Sequence, residues 1–180
     1  MSAVVVYESI YGNTRAIAEA IAEGLTPLGE VEVRPVHEAG SVDAAELLVV
    51  GGPTHMHGLT SSFSRRAAIK AGEEDGVTIE RGAGEERGLR QWLAELSGDG
   101  RRAAAFDTRI DRSPKLTGVA ARGIARRLRG RGHELIGDPE SFFVEDSEGP
   151  LAEGELARAR AWGAKLAAAA RASQGPGRHG

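Results

Sequence analysis

Four short stretches of this chain are apolar almost without interruption. They are Ala3–Tyr7, Glu46–Val50 (ELLVV), Ala103–Phe106 and Phe142–Val144. Unbroken runs rich in β-branched and aromatic residues mark strands covered on both faces. Val31, Val33 and Pro35 alternate with Glu32 and Arg34, which predicts an outer strand with one solvated side. Between the runs the spacing changes to that of helices. Ile17, Ile21 and Leu25 fall four apart, with Asn13 or Thr14 as the candidate cap and Gly29 just past the end. Leu89, Trp92, Leu93 and Leu96 mark a second helix, stopped by Gly98. Leu116, Ala120, Ile124 and Leu128 mark another, stopped by Gly130 and Gly132. Leu156, Ala159, Gly163, Leu166 and Ala170 line the last, which Pro150 can start.

Strands that alternate with helices imply βαβ units and a doubly wound, five-stranded parallel sheet. Leu59 to Ala83 is too long for a connection, so an extra helix is expected over Ser61–Lys70, followed by a Gly/Glu-rich loop at 72–84. No repeat divides the chain. Residues 1–172 are expected to form one α/β domain and 173–180 a frayed tail.

The candidate chemistry lies where the first strand meets the first helix, at Glu8-Ser9-Ile10-Tyr11-Gly12-Asn13-Thr14. In an open α/β sheet ligands bind beyond the carboxyl ends of the strands. A helix starting there offers unpaired N–H groups and a partial positive charge, which suits a phosphate. Ser9, Asn13 and Thr14 add hydrogen-bonding groups, and Gly12 permits close approach or positive φ. A triphosphate P-loop needs a lysine that is absent, and a dinucleotide fingerprint needs three spaced glycines where this loop has one. A phospho-accepting aspartate is also missing, because the ELLVV strand ends in Gly51-Gly52. A terminal phosphate monoester remains.

"S-x-Y-G-N-T" before a helix resembles the FMN-phosphate loop of flavodoxins and flavodoxin-like domains, and "VVGGPTHMHG" resembles their second loop, which lies along the isoalloxazine ring. The resemblance implies a flavodoxin-like three-layer sandwich with strand order 2-1-3-4-5. It also implies one FMN and a role in electron transfer with redox partner proteins or a small-molecule acceptor. Carried over by position, Ser9, Tyr11, Gly12, Asn13 and Thr14 would hold the phosphate, with Ile10 in the same loop. Pro53, Thr54, His55, Met56, His57 and Gly58 would line the flavin, and Asp107, Thr108 and Arg109 would stand beside it. The pattern departs from many flavodoxins in one respect: neither later loop has an aromatic other than histidine, and Trp92 and Trp162 sit on helical stripes that assign them to the core. Two further readings stay open: an FMN-dependent quinone or small-molecule oxidoreductase, and a flavodoxin-like domain that has lost flavin. No catalytic residue is assigned.

Charge and composition narrow the picture further. A formal net charge of −3 argues against a nucleic-acid partner. The absence of cysteine removes disulfides, thiol redox chemistry and cysteine-bound metal. His55-x-His57 lacks the further ligands of a zinc site, so no metal is expected. The first apolar run is too short for a membrane span, and a cytoplasmic protein is expected. Glu8 reads as a solvated carboxylate, and Arg65, Arg66 and Lys70 read equally as a solvated helix surface or as a patch for an acidic partner or substrate. The run Arg126, Arg127, Arg129 and Arg131 reads as cations complementing a helix C-terminus.

Overall fold

The computed structural model describes residues 1–55, 58–85, 87–113 and 118–172. Among these residues five α-helices and seven strands follow one another as β1 (Ser2–Tyr7), α1 (Asn13–Leu25), β2 (Glu30–Pro35), β3 (Leu47–His55), β4 (Gly58–Leu59), α2 (Ser62–Glu74), α3 (Leu89–Glu95), β5 (Arg102–Ile110), α4 (Ala120–Gly130), β6 (Glu134–Leu135), β7 (Glu140–Val144) and α5 (Glu155–Ala172). The main strands are parallel in the order β2-β1-β3-β5, and the far edge of β5 is shared by β6 at one end and β7 at the other. With β6 and β7 counted as one interrupted strand, this is the order 2-1-3-4-5 that the sequence implied.

The period of two within each strand builds two cores. Val5, Leu47, Val49, Ala104 and Phe106 point to one face, where α1 and α5 cover them. Val4, Val6, Leu48, Val50, Ala103 and Ala105 point to the other, beneath α3 and α4. Each fully buried aliphatic side chain contributes about 1.5–3 kcal/mol, so the two faces supply most of the driving force. Trp92 lies in the second core. Trp162 lies in the first, edge-on to Phe106 and Phe142.

Two glycines let α1 and α5 meet backbone to backbone. A Cβ on Gly24 would lie 2.1 Å from the Arg160 carbonyl, and one on Gly163 would lie 2.3 Å from that of Ile21. The glycine in the α5 stripe is therefore a contact surface and not a gap in it. Leu156, expected on the same stripe, is exposed, and Glu155 takes the buried position. The helix begins at Glu155, five residues after Pro150.

Two strands run further than the apolar runs predicted. β3 continues through Gly51-Gly52-Pro53 to His55, and β5 continues from Phe106 to Ile110, because the two strands pair as far as Pro53 opposite Thr108. Gly51 pairs with Phe106, and a Cβ there would lie 2.1 Å from the phenyl ring. β4 returns antiparallel onto the end of β3, pairing Leu59 with Thr54 and Gly58 with His55. The expected extra helix is α2, which begins with a Ser61/Ser64 capping box and extends to Glu74. Leu116 and the tail from 173 lie outside the described residues. Among the described residues no helix is long and apolar enough to cross a membrane.

Candidate functional site

The site forms where β1, β3 and β5 end. Gly12 caps α1 in the left-handed region (φ 90°), a conformation that favours glycine. No side chain caps the helix there, so neither Asn13 nor Thr14 plays that role. Ser9 Oγ instead accepts the Gly12 N–H at 3.1 Å and closes the loop on itself. Asn13 Nδ2 donates to the Glu148 carbonyl at 3.0 Å, tying the loop to the segment after β7. The Tyr11 hydroxyl donates to the Ala68 carbonyl at 2.7 Å and fastens the loop to α2. Ile10 is buried. Of the six loop residues carried over from the resemblance, Ser9, Tyr11 and Asn13 thus shape the loop through their side chains. Thr14 faces the third strand end: its Oγ1 lies 2.7 Å from Thr108 Oγ1, and both residues are buried.

Ser9, Ile10, Tyr11, Asn13, Thr14 and Thr108, but not Gly12, line a cleft of about 80 Å³ together with Pro53, Thr54, His55 and Arg109. All three sequence-predicted loops therefore meet in one place. Arg109 is the one charged residue among the described residues lining it. Its guanidinium donates to the carbonyls of Ile110 (3.2 Å) and Arg112 (2.8 Å) and stacks 5.0 Å from the centre of the Phe143 ring. It forms no ion pair with Asp107 or Asp111. His55 is largely buried, its Nε2 has no hydrogen-bond partner among the described residues, and burial pushes its imidazole below its ordinary value. Ile110, Val144 and Ser147 also line the cleft. Only their neighbourhood to β5 and β7 brings them there, and no motif marks them.

Asp107 does not line the cleft. It is fully buried under α4, where its Oδ2 accepts the Ala121 N–H at 3.0 Å and the Thr54 hydroxyl at 2.8 Å. Thr54 Oγ1 in turn accepts the Ala120 N–H at 2.9 Å. Val119 supplies no side-chain cap to α4, so two side chains from the sheet take its first amides. Burial raises the Asp107 carboxyl above the usual carboxylate range, while hydrogen bonds from Ala121, Ser141 and Thr54 oppose that shift. Gly58 stands in β4 at the edge of the site, and Met56 and His57 lie outside the described residues.

Two charged residues differ from expectation. Glu8 is 4% exposed rather than solvated, and Arg65 is equally buried. Glu8 Oε2 accepts the Leu89 N–H at 2.6 Å and lies 3.5 Å from Arg65 Nη1, while Arg65 Nη2 donates to the Glu85 carbonyl. A Cβ on Gly88 would lie 1.8 Å from Arg65 Nη1, so glycine is needed for the guanidinium to pass. The packing of residues 77–85 and 87–88 over the end of β1 buries this pair. That segment also places Glu80 beside Gly12, with its carboxylate balanced by Arg15 at 3.1 Å. Between it and the ends of β1 and β2 lies a second cavity, of about 180 Å³.

Donors and apolar side chains share the cleft, while the Glu80 carboxylate stands outside it, beside Gly12. An uncapped helix N-terminus, two buried hydroxyls and an arginine offer donors, and no carboxylate is among the described lining residues. Among the described residues no group of three or more His, Asp or Glu side chains is arranged to hold a metal.

Comparison with known proteins follows the same lines. A sequence-family profile described as a flavodoxin domain matches residues 4–69, which contain the first loop, β3 and the start of α2. Similar solved structures include a flavodoxin from the domain Archaea, with 20% identity, a TM-score of 0.63 and coverage of 95% of this chain and 99% of that one. A flavodoxin, WrbA-like protein from Agrobacterium tumefaciens has 23% identity and a TM-score of 0.59, covering 95% and 98%. The flavodiiron protein from Giardia intestinalis has 19% identity and a TM-score of 0.59, covering 95% of this chain but 36% of its own. A search of curated protein sequences finds no match. The chain is flavodoxin-like: in fold along nearly its whole length, and in sequence over residues 4–69.

Proposed function

We propose that this chain binds one FMN in the cleft between the ends of β1, β3 and β5 and passes electrons between a reductase and an acceptor. The observation that carries the reading is the convergence of the three loops on one cleft that offers an uncapped helix N-terminus and no carboxylate. The first-turn amides of α1, with the hydroxyls of Thr14 and Thr108, would hold the phosphate. Pro53, His55 and Ile110 would give the ring an apolar surface, and Arg109 a positive charge. FMN, when bound, supplies the capacity to take up and release electrons. The protein's part is to orient it, keep water from one side and set the charge around it. His55, held neutral by burial, would present a hydrogen-bonding nitrogen without adding charge.

The preference for FMN over FAD follows from the helix terminus. An adenylate joined to the phosphate would meet the Gly12 cap and the segment around Glu80 that packs against it. Absorbance of the purified protein and thermal melts with FMN, FAD and riboflavin test this. At about 1,000 times Kd a ligand stabilises the fold by ~4 kcal/mol, so FMN should raise Tm by several degrees and riboflavin by much less. Equal shifts for FMN and riboflavin would defeat the phosphate assignment.

A second reading, an FMN-dependent small-molecule oxidoreductase, is favoured by the cavity of about 180 Å³ that residues 80–85 and 87–88 enclose against the ends of β1 and β2. Turnover of NADPH with a quinone by the pure protein separates the two.

A further inference from the structure

α3 and α4 bring four arginines around one cavity on the side of the sheet away from α1. Arg90 comes from α3, and Arg122, Arg126 and Arg127 from α4; the cavity has a volume of about 260 Å³. Its wall is closed by Gly58 and Leu59 of β4 and contains no acidic residue among the described ones. None of the four makes an ion pair with a described residue. Their polar contacts are to backbone: Arg90 donates to the carbonyls of Leu59 and Thr60, and Arg127 to that of Gly123 at 3.1 Å. The chain as a whole is acidic, at −3, so this concentration of positive charge is segregated, not average.

Helix stability does not account for it. Arg127 and Arg129 stand in the last turn of α4, where cations complement the dipole. Arg122 lies near the start of the helix, where a cation opposes the dipole, and it stands one turn from Arg126, a like-charge spacing that weakens a helix. Burial, and then the charges of Arg90 and Arg126, push the Arg127 guanidinium below its ordinary value. Four guanidiniums around a concave space, with donors in rigid planar forks, match the oxygens of a tetrahedral oxyanion.

We propose that this cavity is an anion site for the phosphate or pyrophosphate group of a small phosphorylated molecule. The anion lies among the four arginines, relieves their mutual repulsion and exchanges its own water for N–H donors. Concavity favours a small molecule over a flat acidic protein surface. The site is separate from the α1 terminus and independent of flavin binding. It meets the candidate flavin cleft at the β3–β4 pairing, in which Gly58 faces His55, and at the start of α4, where cleft-lining Thr54 accepts the Ala120 N–H beside Val119.

Calorimetric titration with inorganic pyrophosphate, in low salt and with saturating FMN so that the α1 terminus is already occupied, tests the proposal on wild type, Arg122→Gln/Arg126→Gln and Thr14→Ala. Both arginines are exposed, so the double variant keeps its fold, and its thermal melt checks that. Pyrophosphate should bind wild type and Thr14→Ala within about twofold of each other. Binding to the double variant should weaken at least tenfold, and wild-type affinity should fall as salt rises. ADP binding as tightly as pyrophosphate marks a nucleotide-borne group, and pyrophosphate binding alone a free anion; both support the site. Loss of binding in Thr14→Ala with retention in the double variant places the anion on α1 and overturns the proposal. So does an absence of pyrophosphate binding to wild type. Binding of polyglutamate but not pyrophosphate also overturns it, in favour of an acidic protein partner.

Discussion

Thr14 Oγ1 lies 2.7 Å from Thr108 Oγ1, although 94 residues separate them in the chain. The pair joins the first turn of α1 to the end of β5, and both hydroxyls border the candidate cleft. Removing one leaves the other buried and unpartnered, at a cost of ~1–2 kcal/mol. A hydroxyl bonded to a phosphate is typically worth ~1.5–3 kcal/mol. We therefore expect Thr14→Ala to raise the Kd for FMN ten- to a hundredfold while the apo protein loses no more than ~1–2 kcal/mol in a urea melt. Unchanged affinity in a flavin titration would place the phosphate elsewhere.

Arg109 should tune a bound flavin. Its guanidinium is held over Phe143 by two carbonyls and is free of carboxylate partners among the described residues. At an effective dielectric near 20, charges ~4 Å apart interact by ~4 kcal/mol. A quarter of that after screening is ~20–40 mV. A redox titration should show a lower flavin potential in Arg109→Ala than in wild type, with Arg109→Lys between them. Equal potentials would mean that this side chain does not act on the ring.

Glu8 and Arg65 hold the segment over β1. Glu8→Gln keeps an acceptor for the Leu89 N–H but removes the charge beside Arg65, and a loss of ~2–3 kcal/mol is expected. Adding Arg65→Met should restore part of it, because an apolar replacement removes the buried charge. Chemical denaturation of the two variants measures both steps. A single variant as stable as wild type would show that the pair does not hold the segment.

Stability should fall in mild acid. His133 is buried, and burial depresses its imidazole below its usual 6.5, outweighing the opposing influence of the Arg101 backbone and of Asp99 nearby. A histidine whose folded pKa is lowered binds its proton more readily when unfolded. Its contribution is complete above pH ~6.5 and is lost as pH falls towards the folded pKa. His55 shifts in the same direction. Tm measured from pH 7.5 to 5 should decline, and His133→Gln should flatten part of the decline. Parallel profiles for the two proteins would remove His133 as a source.

Much of the architecture was legible because each strand and helix carries its own periodicity. The runs at Ala3–Tyr7 and Leu47–Val50 bury both faces, and the stripe Ile17, Ile21, Leu25 buries one, whatever their neighbours are. The first loop was legible for the same reason: a strand, a glycine at positive φ and a helix start lie within a few residues. Pairing with neighbours decided the rest. The ends of β3 and β5 extend because each gives the other a partner, which local pattern does not record. Glu8 and Arg65 read as solvated because charge favours water, and only the segment that closes over them supplies their partners. Asp107 sits at a strand end like a ligand residue, yet the alternation of β5 turns it under α4, towards the Ala121 amide and Thr54. Which residues make the elements is a local property of this chain. Which polar groups face the cleft, and which are consumed in holding it together, depends on contacts between residues far apart in sequence, and only the tertiary structure decided them.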